Sequence, residues 1–165
     1  MKKRVFLAAG IAVLSTAVLA ACSSGNGNKE ATKPVTYAYV FSSDPATLDY
    51  TVSANKGTKQ ITGNVIDGLL ENDQYGNLVP SVAEDWTVSK DGLTYTYKIR
   101  QGIKWYTNEG EEYGEIKAQD FVTGLKHAAD KKSEGLYLVQ DSIKGLDDYV
   151  NGKTTDFSTV GVKAT

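Results

Sequence analysis

Apolar residues run without a charge from Val5 to Ala21, and after Pro34 they recur in short bursts separated by Gly, Asn, Asp and Ser. Short bursts predict small elements. Residues 35–41 are β-branched and aromatic and predict a strand, stopped by Ser42-Ser43-Asp44-Pro45. The small polar run 49–57 predicts a loop. Residues 58–67 place Ile61, Val65 and Ile66 on one helical face, with Gly68 at the position that ends a helix. A strand over 69–71, a turn over 72–77 and a strand over 78–79 make a hairpin. Residues 83–89 predict a strand around Trp86, and Lys90-Asp91-Gly92 predicts a turn. Residues 93–100 alternate Leu93, Tyr95, Tyr97 and Ile99 against Thr94, Thr96, Lys98 and Arg100, the period of a half-buried antiparallel strand.

Residues 103–106 predict another extended piece, followed by an acidic loop over 108–115. Over 118–132, Phe121, Val122, Leu125 and Ala129 fall at helical spacing, and Asp120 lies in the first turn, where the helix dipole favours it. Residues 136–140 and 143–150 predict two helical turns, the second ended by Gly152, and 157–162 predict a last strand. The sum is mixed α and β with antiparallel hairpins, not a βαβ series.

The N-terminus has a different pattern. Lys2, Lys3 and Arg4 precede the uncharged run, as in a secretory signal peptide. A transmembrane anchor is the alternative, but the run is short of the roughly 20 residues that span a bilayer. Leu19-Ala20-Ala21-Cys22 resembles the bacterial lipobox, which implies a lipid on Cys22 and cleavage before it; a buried small hydrophobe is the alternative for a lone cysteine. Residues 23–34 are rich in Gly, Asn, Ser and Lys and read as a flexible tether. Removal of residues 1–21 would leave 144 residues, with 15 basic groups against 20 acidic.

That balance carries no basic stripe for nucleic acid. One Cys and one His exclude a disulfide framework and argue against a zinc site built by this chain alone. His127 has Asp130 three residues on, which could orient an imidazole, although a pair on a helix surface is the commoner outcome. No Gly-x-Ser-x-Gly accompanies it, and nothing argues for an enzyme. The acidic residues Glu109, Glu111, Glu112, Glu115, Asp147 and Asp148 read as solvated faces, and no cofactor is implied. Trp86, Tyr95 and Tyr97 are assigned to the core by the strand alternation.

A set of blocks carries a resemblance. They are Asp44-Pro45-Ala46-Thr47-Leu48-Asp49; Val65-Ile66-Asp67-Gly68-Leu69-Leu70; Leu78-Val79-Pro80-Ser81-Val82-Ala83-Glu84-Asp85-Trp86; Ser89-Lys90-Asp91-Gly92-Leu93-Thr94-Tyr95-Thr96-Tyr97-Lys98-Ile99-Arg100; Gly102-Ile103-Lys104-Trp105; and Ala118-Gln119-Asp120-Phe121-Val122. In this order the chain resembles the oligopeptide-binding lipoproteins among the family 5 extracytoplasmic solute-binding proteins of ABC importers, of the streptococcal type. Most of these blocks are scaffold: Asp91-Gly92 closes a hairpin, and Pro80 ends the strand before it.

The resemblance implies an α/β fold (α+β within this chain), the N-terminal part of a two-lobed periplasmic-binding-protein-like clamp. Residues 35–65 would give the first strand, cleft loop and helix of lobe one. Residues 66–165 would give the hairpins and short helices of an extra subdomain. Its implied partners are oligopeptides, the permease subunits of the importer, and the membrane through the lipid. In the cleft loop, main-chain groups of Ser53, Ala54, Asn55 and Lys56 would pair with an extended peptide. Ala54 stands where the family has an acidic residue. Lys117 stands where it has Thr, a lost helix cap of about 1 kcal/mol if nothing replaces it. The family's chains are several times longer, which implies a truncated chain unable to clamp peptide alone. A tethered surface fragment that binds nothing, and a relative binding dipeptide, nickel or haem, are the alternatives. Residues 36–65 are further expected to be mobile or misplaced relative to residues 66–165, with an unpaired edge at 35–41.

Overall fold

The computed structural model describes residues 36, 38, 40 and 44–165. The leader expected over 1–21, Cys22, the expected tether and most of the strand expected over 35–41 lie outside the described residues; Thr36, Ala38 and Val40 carry no strand. The chain divides into two units, Met1–Val40 and Phe41–Thr165, and the second holds every element that follows.

Its first helix, α1 (Lys56–Thr62), is capped by Asn55, whose side chain accepts from the Gly57 N–H at 2.8 Å. The helix ends at Gly63, short of the expected Gly68. Gly63 and Asn64 are poor helix formers, and the Asn64 and Val65 N–H groups tighten onto Ile61 and Thr62 in three-residue turns. Val65, assigned to the buried face, is 71% exposed. The face that docks is polar: Thr58 and Thr62 are buried, and the Thr58 hydroxyl donates to the Thr47 carbonyl at 2.7 Å.

Three two-stranded antiparallel sheets follow. Strands β1 (Leu70–Asn72) and β2 (Leu78–Pro80) are joined by a turn built on Asp73, whose Oδ1 accepts from the Tyr75 and Asn77 N–H groups at 2.8 and 2.9 Å. Pro80 is the last residue of β2, as expected of a residue that ends the strand, and pairs there with Leu70 at the edge of the two-stranded sheet. Strands β3 (Ala83–Val88) and β4 (Tyr95–Ile99) close through Ser89 and Gly92, which has φ +73°. Ala83 and Val82 are buried where β3 leaves the first hairpin, and the Ala83 N–H donates to the Leu69 carbonyl at 2.9 Å.

The expected core along β4 is only half built. Tyr97, Ile99 and Trp86 are half-buried, but Leu93 is 83% exposed and Tyr95 is exposed too. Among the described residues no layer covers the turn end of this hairpin, so the alternation there meets water.

Strand β5 (Lys104–Tyr106) pairs with β6 (Glu112–Glu115), so the acidic segment expected as a loop is in part a strand. Its charges face solvent, and Lys104 meets Glu112 at 2.7 Å across the ladder.

Helix α2 (Ala118–Asp130) has no hydroxyl cap, yet Asp120 replaces half of one: its Oδ2 accepts from the Lys117 N–H at 2.9 Å. The same oxygen accepts from Trp105 Nε1 at 3.2 Å and so ties the third hairpin to the helix start. Ala129 on α2 meets Leu146 and Val160 in the main core, with Leu125, Ile143, Tyr149 and Phe157 against it. Leu146 opens α3 (Leu146–Val150) and is fully buried. The segment 157–162 is no strand. Phe157–Thr159 is a 3₁₀ turn capped by Asp156, whose carboxylate accepts from the Ser158 N–H.

Candidate functional site

The loop between Asp49 and α1 is held by its own polar residues and by the end of α2. Asp49 organises the near end. Its Oδ1 accepts from the Thr51 hydroxyl at 2.5 Å and the Thr51 N–H at 3.2 Å, and its carbonyl accepts from the Val52 and Ser53 N–H groups. Its Oδ2 lies 2.8 Å from Nε2 of His127 on α2. These donors, the Thr51 hydroxyl first and His127 next, hold the Asp49 carboxyl below its ordinary range. An ionised carboxylate only accepts, so Nε2 carries the proton of this pair.

His127 therefore takes a partner 78 residues away rather than Asp130. Asp130 is bound instead by Lys126 and by the Tyr149 hydroxyl at 2.6 Å. No one-dimensional signal marks the Asp49 pairing, because the two residues share no element.

The far end of the loop is held by the segment after α2. The Val52 carbonyl accepts from the Glu134 N–H at 3.0 Å and from the Ser133 hydroxyl at 3.2 Å. The Ala54 N–H donates to Glu134 Oε2 at 2.7 Å. Asp49, Val52 and Ala54 are thus each hydrogen-bonded to α2 or to the segment after it. The contacts at 49–54 join segments that the pattern treats as separate.

Of the four residues expected to bind through main-chain groups, Ser53, Ala54 and Asn55 already donate their N–H groups inside the chain, to the Asp49 carbonyl, Glu134 and the Ser53 hydroxyl. Lys56 is the first residue of α1. Among the described residues the carbonyl oxygens of Ser53 and Ala54 accept no hydrogen bond.

Ser53 and Ala54 border a hollow of about 200 Å³, together with Tyr50, Lys59, Leu136 and Leu138. Burial, and then the Asp49 charge, push the Tyr50 hydroxyl above its ordinary pKa. Among the described residues the lining of the hollow offers one cation, one phenol and an apolar floor, and pairs no nucleophile with a base. Among the described residues no group of three or more His, Cys, Asp or Glu side chains converges as a metal site. Among them, too, no helix is long and apolar enough to cross a membrane.

Residues 77–163 match the family described as bacterial extracellular solute-binding proteins, family 5 Middle. The chain is 61% identical over 163 residues to the oligopeptide-binding protein AmiA of Streptococcus pneumoniae, a match covering 99% of this chain and 25% of that protein. It is 63% identical over 169 residues to the oligopeptide-binding protein SarA of Streptococcus gordonii, covering 99% and 26%. Among solved structures, a periplasmic oligopeptide-binding protein of Borrelia burgdorferi aligns with a TM-score of 0.63 at 27% identity, over 74% of this chain and 24% of that one. The chain spans about a quarter of the length of the curated relatives it matches.

Proposed function

The chain belongs to the family 5 bacterial extracellular solute-binding proteins, and from that membership we propose that it serves the capture of oligopeptides outside the membrane for an ABC importer. The observation that carries this reading is identity above 60% across 99% of the chain with streptococcal proteins named for oligopeptide binding. In this reading the loop 49–55 forms part of one wall of the peptide cleft. Ser53, Ala54, Asn55 and Lys56 meet an extended ligand through main-chain groups, and the adjoining hollow takes a ligand side chain. Recognition through backbone groups tolerates many sequences, because every peptide carries the same amide donors and acceptors. The remaining wall belongs to the part of the relatives' length that this chain does not span.

The same reading places a lipid on Cys22, with 22–34 as the tether, and delivers captured peptide to the permease. Two acyl chains on one cysteine hold a protein at a membrane stably, where one chain would not.

The test is a chimera in which this chain replaces the matched quarter of AmiA. With a random hexapeptide mixture, the chimera is expected to show saturable thermal stabilisation at concentrations within about tenfold of those AmiA needs. A folded chimera that shows no saturable shift would overturn the reading.

A further inference from the structure

Glu134 meets the candidate loop twice. Its N–H donates to the Val52 carbonyl at 3.0 Å, and its carboxylate accepts from the Ala54 N–H at 2.7 Å. Val52 and Ala54 are alternate residues. Val52 ends the turn 50–52 wound on the Asp49 carbonyl, and beyond that turn the Val52 carbonyl needs a donor and the Ala54 N–H an acceptor. Glu134 supplies the N–H from its backbone and the acceptor from its side chain. It does so from 80 residues away, with Ser133 adding a second donor to the Val52 carbonyl.

We propose that Glu134 is a positioning residue for the peptide-facing loop, a one-residue substitute for separate backbone partners of Val52 and Ala54. The consequence is a polarity. With the Ser53, Ala54 and Asn55 N–H groups committed within the chain, the loop keeps the Ser53 and Ala54 carbonyls as acceptors that take no donor among the described residues. It therefore selects for N–H donors of an extended ligand rather than for its carbonyls. The carboxylate is the part of the substitute that a substitution can remove, since the backbone N–H stays whatever the side chain. The peptide-facing role of the loop rests on the function proposed above; its positioning by Glu134 does not.

Two measurements separate these. In the chain itself without peptide, amide hydrogen exchange of Ala54 is followed by NMR. Glu134→Ala is expected to speed it about tenfold or more, as the loss of a charge-assisted hydrogen bond requires, and Glu134→Gln, which keeps an acceptor, by less than about threefold. Equal Ala54 exchange in wild type and Glu134→Ala would overturn the positioning role. In the AmiA chimera, Glu134→Ala is expected to weaken hexapeptide binding by about tenfold, with Glu134→Gln restoring most of it. Unchanged affinity in Glu134→Ala would overturn its bearing on ligand. A wild-type chimera that binds nothing would refute the peptide reading and leave the exchange result standing.

Discussion

Nε2 of His127 lies 2.8 Å from Oδ2 of Asp49, and this contact joins the end of α2 to a loop 78 residues earlier. Both side chains are partly exposed, 42% and 38%, so water screens the pair. Its value lies in placing the loop more than in stability. His127→Ala is expected to cost only about 0.5 kcal/mol, read from urea midpoints, while raising the exchange of the Thr51 and Ser53 amides. A cost above about 2 kcal/mol would show a buried role that these exposures do not support.

The Asp49 carboxyl titrates below its ordinary range, chiefly through the Thr51 hydroxyl and then His127. A carboxyl whose folded pKa is depressed binds fewer protons in the native state than in the unfolded chain at acid pH. Its stabilisation is therefore complete above the unfolded value near 3.9 and is lost as pH falls through the folded one. The stability gap between wild type and Asp49→Asn should be constant from pH 6 to 7 and shrink below about pH 4. Denaturant titrations at pH 6 and pH 3 decide it, and a gap that widened at pH 3 would contradict the assignment.

Asp120 joins two elements through one oxygen, accepting from the Lys117 N–H and from Trp105 Nε1. Asp120→Ala leaves both donors without that acceptor and is expected to cost about 1–2 kcal/mol, with a change in tryptophan emission. Lys117→Thr adds the missing hydroxyl to an acidic residue already in place three positions on. It should raise stability by about 0.5–1 kcal/mol, measured as a higher midpoint. No gain, or a loss, would mean that the Lys117 stem contributes packing that the cap cannot replace.

Gly145 has φ +73°, and a Cβ there would stand 2.7 Å from the Thr159 carbonyl oxygen. The approach brings the 3₁₀ turn Phe157–Thr159 against the start of α3, where the Gly161 N–H donates to the Lys144 carbonyl at 2.7 Å. Gly145→Ala combines a strained backbone with a collision against main chain and should cost about 1–3 kcal/mol. Gly124, in the interior of α2 with open space around its Cβ position, is the control: Gly124→Ala should be neutral or stabilising by up to about 1 kcal/mol. Equal thermal midpoints for the two variants would refute this account of the turn.

Cys22→Ser tests the anchor in cells. The substituted chain is expected to leave the membrane fraction and to lose metabolic labelling by palmitate, while wild type keeps both. Labelled, membrane-bound Cys22→Ser would place the lipid elsewhere.

The turns were legible in the chain because their chemistry is contiguous. Asp73 accepts from residues two and four positions away, and Ser89 and Gly92 close β3 onto β4 within five residues. The start of α2 was legible from Asp120 for the same reason. The end of α1 was misplaced by five residues, because apolar spacing pointed to Val65 while Gly63 and Asn64 had already stopped the winding. Strand β6 was hidden because Glu111, Glu112 and Glu115 read as loop, and only pairing with β5 gives their backbone a ladder. Phe157 read as strand, whereas Asp156 capped it into a 3₁₀ turn.

The chain by itself determined the closures of the first two hairpins, the start of α2 and, through its blocks of motif, the family. Each of those depends on preferences expressed over a few neighbouring residues. The tertiary structure alone decided the candidate site: that His127 meets Asp49, that Glu134 takes the Ala54 N–H, and that Leu93 and Tyr95 stay in water while Tyr97 is half covered. A hydrogen bond between residues about 80 apart has no local signature, since either partner could satisfy itself with water or a nearer group. A period-two pattern likewise states which face of a strand is apolar, but burial requires a second layer, and where that layer lies is a property of the folded chain.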